Sequence, residues 1–233
     1  MRKYLTEFIG TFVLVLTICG AVASGSPLAP LAIGGALAAA IYAGGHISGA
    51  HYNPAVTLAV LLRGKLPVRE ALPYVVAQLA GGLAGAGAAR LIVGAHSGPP
   101  LHLSGGKLGS ALLAEFVVTF VLAYVVLNVA TSKDHPNNSF YGLAIGFTVM
   151  AGAVAVGGIS GGVFNPAVAV AVSATGLVSW SMIWVYLLAN LAGGAVAAFT
   201  FRLLNPAEWA TPATVDSTGQ AATGKHAEKL RVA

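Results

Sequence analysis

Residues Ile47 to Val56 read ISGAHYNPAV and residues Ile159 to Val168 read ISGGVFNPAV, with Asn53-Pro54-Ala55 and Asn165-Pro166-Ala167 at their centres. Seven of the ten positions are identical, so the stretch is a repeat and not an accident of composition. The duplication extends outward. Thr6-Glu7-Phe8 with Thr11-Phe12 recurs as Ala114-Glu115-Phe116 with Thr119-Phe120 at an offset of 108 residues. Ala77-Gln78-Leu79-Ala80-Gly81-Gly82 recurs as Ala189-Asn190-Leu191-Ala192-Gly193-Gly194 at an offset of 112, the same offset as the boxes.

The solvent follows from composition. Of 233 residues, 57% are hydrophobic and 8% charged, with mean hydropathy +0.82, far more apolar than a soluble domain. The chain reads as an integral membrane protein. A net charge of +5 could suit nucleic acid, but the basic residues are scattered and form no stripe with interleaved aromatics, so no nucleic-acid partner is expected. Cys19 is the single cysteine and reads as a small buried hydrophobe, with no disulfide or cysteine metal site.

Six apolar runs are long enough to be helical spans: about Leu5 to Ser24, Leu31 to Gly45, Ala71 to Val93, Ser110 to Ala130, Phe140 to Val156 and Trp180 to Leu203. The Gly/His/Pro-rich stretch Gly94 to Gly106 divides two halves, repeat 1 at about 3–93 and repeat 2 at about 109–204, within one channel-sized domain 1–204. The tail 205–233 is polar and reads as disordered. Three spans per half is odd, so the copies enter the membrane in opposite orientations. Arg2, Lys3, Arg63, Lys65, Arg69, Lys133 and Arg202 fall where an N-inside topology puts the cytoplasm, against Arg90 and Lys107 outside. Both termini are therefore expected in the cytoplasm.

From Asn53 to Arg63 there are about ten residues, roughly 15 Å of helix, or half of a ~30 Å hydrocarbon core. Each box therefore opens a half-span, and the two half-helices meet with their N-termini near mid-membrane. Asn suits the N-cap and Pro the first helical position. With the Asn oxygen used by the cap, its NH₂ is expected to donate into the space between the two ends. The lead-ins His46 to Tyr52 and Gly158 to Phe164 are expected to leave helical geometry, which at this depth is tolerated only where backbone is buried or lines a wet cavity. Two positive dipole ends, two amide donors and a run of carbonyl acceptors make a conduit for small neutral solutes that disfavours cations.

These paired boxes with their Ser-Gly lead-ins, and Glu7 and Glu115 in spans one and four, resemble the aquaporin or major intrinsic protein family across residues 3–204. The resemblance implies an all-α membrane fold of six transmembrane helices plus two half-membrane re-entrant helices in an inverted 3+3 repeat. It also implies a pore in each protomer and a homotetramer, and the plasma or inner membrane is the expected location. No nucleophile, base and orienting group converge by sequence and no metal or cofactor motif appears, so no enzymatic activity and no cofactor are expected. A third Asn205-Pro206-Ala207 lacks the lead-in and follows the last span, so no pore role is assigned to it. Glu7 and Glu115 read as braces for the loop backbone, with a proton relay as the alternative. His46 and His51 read as loop-packing or pore-lining groups, with a pH gate as the alternative. His96 and His102 read as solvated outer-loop residues.

Water-selective members of that family narrow the outer mouth with an aromatic residue, a His and an Arg. By spacing from the boxes, the selectivity positions here are Ile33, Ala153, Gly162 and Val168, all apolar or small. A wide, apolar outer constriction is expected, passing water with hydrogen peroxide, ammonia, urea or glycerol. Ala169, where glycerol facilitators carry Asp, argues against a dedicated glycerol channel. The alternatives are an inverted-repeat secondary transporter, against which stands the lack of carboxylates in the loops, and a non-conducting structural membrane protein.

Overall fold

A computed structural model describes residues 1–208; the stretch 209–233, read above as disordered, lies outside the described residues. The chain forms α1 (Arg2–Ala23), α2 (Ala29–Ser48), α3 (Pro54–Leu62), α4 (Val68–Val93), α5 (Gly106–Thr131), α6 (Tyr141–Ser160), α7 (Pro166–Ala174) and α8 (Ile183–Leu204). Single 3₁₀ turns at Trp180–Met182 and Pro206–Glu208 flank α8. Six of the helices are long and apolar enough to cross a membrane, and α3 and α7, nine residues each, are half that reach.

The helix ends follow local chemistry. Pro67 is extended and starts α4 three residues earlier than hydropathy suggested. Helix α2 runs on to Ser48 and α6 to Ser160, further than the apolar pattern indicated. Each is stopped by a glycine in the left-handed region, Gly49 at φ 85° and Gly161 at φ 92°, whose N–H bonds back to Gly45 and Gly157 respectively. Only Gly49–Tyr52 and Gly161–Phe164 therefore leave helical geometry, a shorter non-helical segment than the expected His46 to Tyr52 and Gly158 to Phe164.

Packing repeats the internal symmetry. Helix α1 lies on α4, and α5 on α8, through the duplicated Gly-Gly pairs. A methyl group on Gly81 would stand 2.2 Å from Phe8 O, and one on Gly193 2.7 Å from Phe116 O. Substituting either glycine would push apart backbones that touch. The half-helices exchange partners, α3 packing on α8 of the other half and α7 on α4. Each re-entrant element thus closes the repeat it does not belong to.

One part of the presumed tail is integral. The turn Pro206–Glu208 carries Glu208 back under the bundle, where its buried carboxylate pairs with Arg63 at the end of α3 (2.5 Å). It also accepts from Ser132 Oγ (2.9 Å) and the Lys133 N–H (2.5 Å) in the α5–α6 connector. The Arg63 guanidinium lies 4.9 Å from the centroid of Phe201. Asn205-Pro206-Ala207 is therefore the turn that delivers this carboxylate, and Glu208 packs with the helical bundle. Burial pushes the Glu208 carboxyl up, but the Lys133 N–H, the Ser132 hydroxyl and the charges of Arg63 and Lys133 outweigh it and hold it below the ordinary carboxylate range.

A depressed native pKa contributes stability above the unfolded value, and that contribution is lost as pH falls through the native one. Thermal unfolding in detergent, followed from neutral pH down through the carboxylate range, should show an acid loss of stability that Glu208→Gln removes. An unchanged acid limb in the variant would contradict the pairing.

Candidate functional site

The site forms where the two half-helices meet. Asn53 caps α3, its Oδ1 accepting the Ala55 N–H (2.8 Å), and Asn165 caps α7 in the same way through Ala167 (2.9 Å). The amide ends do not both remain free. Asn53 Nδ2 donates to Phe164 O and Asn165 Nδ2 to Tyr52 O, each at 2.9 Å, so the capping residues cross-link the two loops about the pseudo-twofold axis. An amide carries two protons, so one N–H per Asn is committed to this cross-link and the second remains for the cavity that both residues line.

Buried carboxylates hold the loops. Glu7 accepts from Ser48 Oγ (2.6 Å), the His51 N–H (3.0 Å), the Tyr52 N–H (2.7 Å) and Gln78 Nε2 (2.8 Å). Glu115 accepts from Ser160 Oγ (2.7 Å), the Val163 N–H (2.9 Å) and the Phe164 N–H (2.7 Å). Tyr52 and Phe164 both stand at φ 50°, which costs a bulky side chain of order 1–3 kcal/mol. Hydrogen bonds to these carboxyl oxygens, worth roughly 0.5–1.5 kcal/mol each, are together large enough to offset that strain. Tyr74 and Tyr186 complete the pair by donating to Ser48 O and Ser160 O, both at 2.7 Å.

The cavity between the ends is a narrow lumen. Its volume is about 30 Å³, room for a short file of waters at ~10–15 Å³ each. Its wall obeys the repeat offsets. Leu14 pairs with Leu122 and Ile18 with Val126 at 108 residues; Ile33 with Ile145, Leu37 with Val149, Ala50 with Gly162, His51 with Val163 and Val56 with Val168 at 112. Ile41 alone lacks a counterpart on the wall, and the residue 112 positions later is Ala153. Of the four selectivity positions, Ile33, Gly162 and Val168 line the lumen and Ala153 does not. It stands next to Gly162, its Cα 3.7 Å from where a methyl group on that glycine would be. Ile33, Val149 and Val168 wall the lumen where Ala153 stands in place of a second isoleucine, and the lining there is apolar.

The histidines separate. His51 is buried, lines the lumen and has Nδ1 3.1 Å from Thr57 Oγ1. His46 is exposed and borders a surface depression with Arg2, Tyr4 and Glu70, away from the lumen. His102 Nδ1 is 3.2 Å from Ser181 Oγ, and His96 edges a pocket that also includes Cys19, Arg90 and Thr175. The wall residues of α1 and α5 escaped the sequence reading, because a Leu in an apolar span carries no local signal. Applying the 108-residue offset to every position would have paired Leu14 with Leu122.

Comparison with known proteins agrees with this geometry. The family model described as "Major intrinsic protein" matches residues 1–201. The chain is 41% identical over 215 residues to a glycerol uptake facilitator protein-like 6 from Lactiplantibacillus plantarum, covering 88% of this chain and 98% of that one. It is 37% identical over 212 residues to Aquaporin NIP1-4 of Oryza sativa subsp. japonica, covering 88% and 77%. An aquaglyceroporin structure from Plasmodium falciparum superposes with a TM-score of 0.76 at 22% identity, over 89% of this chain and 98% of that one, which shows the shared fold. By its lumen, its paired half-helices and these matches, the chain belongs to the major intrinsic protein family.

Proposed function

We propose that the protein is a passive channel for water and small neutral solutes, with Asn53-Pro54-Ala55 and Asn165-Pro166-Ala167 at the pore midpoint and Ile33, Gly162 and Val168 at its outer constriction. The carrying observation is the meeting of α3 and α7, where each capping Asn bonds the other loop beside a shared cavity. The wall around that midpoint is largely aliphatic, with His51 and the two Asn side chains among its polar members and no Asp, Glu, Lys or Arg in its lining. An ion entering it would lose hydration without replacement, and two helix N-termini aimed at the midpoint add a barrier to cations. A neutral solute loses less and regains bonds at the Asn amides.

The candidates are water, ammonia, hydrogen peroxide, urea and glycerol, with Ala169 in place of the facilitators' Asp arguing against a dedicated glycerol channel. The start of α1, through the Lys3–Glu70 pair, and the turn after α8, through Glu208, lie on the face that carries Arg63 and Lys133, and the excess of basic residues there supports a cytoplasmic assignment of that face. The family resemblance carries the homotetramer and the plasma or inner membrane as parts of the same proposal.

Three measurements test it. In proteoliposomes, Val168→Arg narrows the constriction and should lower urea permeability about tenfold, ~1.4 kcal/mol of barrier, while water permeability falls less; equal losses would refute the placement of the constriction. Vesicles loaded with a pH dye should show proton flux far below an ionophore control, and flux equal to that control would refute exclusion at the midpoint. Glu115→Ala leaves two buried N–H groups unpaired at about 1–3 kcal/mol each and should lower the thermal midpoint together with permeability. If that variant kept its stability and lost only proton leakage, a relay would be the better reading.

A further inference from the structure

The two re-entrant loops are related by the repeat but are braced differently. In the first, the space beside Gly49 is filled from within, since a methyl group there would meet His51 Nε2 at 3.3 Å. His51 is in turn fixed against Thr57 at 3.1 Å, and Gln78 Nε2 bonds the same Thr57 hydroxyl at 2.9 Å. In the second loop, Val163 replaces His51, Ala169 replaces Thr57, and Asn190, one methylene shorter than Gln78, accepts instead from Thr119 Oγ1 at 3.0 Å. Gly162 replaces Ala50, so two successive glycines, Gly161 at φ 92° and Gly162 at φ 65°, precede Phe164. Glu115 bonds Ser160, Val163 and Phe164 but neither glycine.

The space beside Gly161 is filled from outside. A methyl group there would meet Leu101 Cδ2 at 3.1 Å. Leu101 belongs to the connector between α4 and α5, which is pinned by an isolated parallel bridge to Val178. The Leu101 N–H donates to Leu177 O (2.9 Å) and the Ser179 N–H donates to Leu101 O (3.0 Å), while Leu103 is buried beside this bridge.

We propose that Leu101 is a positioning residue for solute selectivity, supplying from the α4–α5 connector the brace that His51 supplies inside the first loop. It holds Gly161, and through it Gly162 and Val163, against the outer lumen. The inference rests on the reading that Gly162 and Val168 border the constriction. Without the leucine side chain, the two glycines can move into the vacated space, since glycine meets no steric barrier to other φ values. The bore beside Val168 then opens, and a solute larger than water gains most.

The test is the ratio of urea to water permeability in proteoliposomes, with the thermal midpoint as the check on folding. Leu101→Ala should raise the ratio by about threefold, equivalent to ~0.65 kcal/mol of barrier, and Leu101→Ile should restore it. Ser179→Pro removes the N–H that holds Leu101 O and leaves the leucine side chain in place. Ser179 stands at φ −67°, which proline accepts, and this variant should raise the ratio in the same direction. If Leu101→Ala fails to fold, Ser179→Pro decides. A wild-type ratio in the folded variants, with Val168→Arg still shifting it, would overturn the role of Leu101 alone. A ratio that Leu101→Ala, Ser179→Pro and Val168→Arg all leave unmoved would overturn the constriction and the brace together.

Discussion

The structure depends on satisfying backbone polar groups where no bulk water reaches. Each half-helix must begin at mid-membrane, and the residues that lead to it have left helical hydrogen bonding. Unpaired groups there cost several kcal/mol each. Glu7 and Glu115 answer this constraint by taking two consecutive N–H groups and a serine hydroxyl apiece. Because acceptors on the spans consume the loop donors, the loops can be held with Tyr52 and Phe164 in the left-handed region. The carbonyls of those two residues then reach the opposite Asn. The carboxylates act at a distance from the lumen, by fixing the backbone that forms it.

The same economy explains the exchanged packing. If α3 closed only against its own repeat, the two halves would be separate three-helix units with a greasy seam. Instead Gly194 of α8 meets Ala55 O, with a hypothetical methyl at 2.5 Å, and Gly82 of α4 faces Ala167 O, with one at 3.2 Å. Close approach of backbones replaces the hydrophobic driving force that is missing inside a bilayer. The Asn53 and Asn165 cross-links lie between these two contacts, so displacing either half-helix would strain both loops.

Much of this was legible in the residues because a duplicated motif reports its own geometry. The boxes, their carboxylates and the inverted repeat followed from offsets of 108 and 112 residues. Legibility stopped where side-chain reach or remote pairing decided the outcome. Ala153 occupies a selectivity position by spacing, yet only its bulkier counterpart Ile41 extends to the lumen. Glu208 sits in a polar context, and its pairing with Arg63 crosses 145 positions, so nothing local marks it as part of the fold. The second proton of each Asn amide was foreseen for the cavity, but the first is spent on the facing loop, a contact that exists only once both halves are assembled.

The wall chemistry also bears on which solutes the pore favours. A largely aliphatic lumen returns few hydrogen bonds, so a solute gives up hydration along much of the path and recovers it near Asn53, Asn165 and His51 and at the loop backbone. Moving an amide or hydroxyl into such surroundings costs roughly 2–7 kcal/mol without a compensating partner. The cost rises with each polar group carried, so under the proposed function the pore would rank solutes by hydration as well as by size. Ammonia and water have little to lose, and each added hydroxyl raises the barrier. A constriction bearing an arginine would reverse part of that order, because it offers donors where Val168 offers a methyl surface.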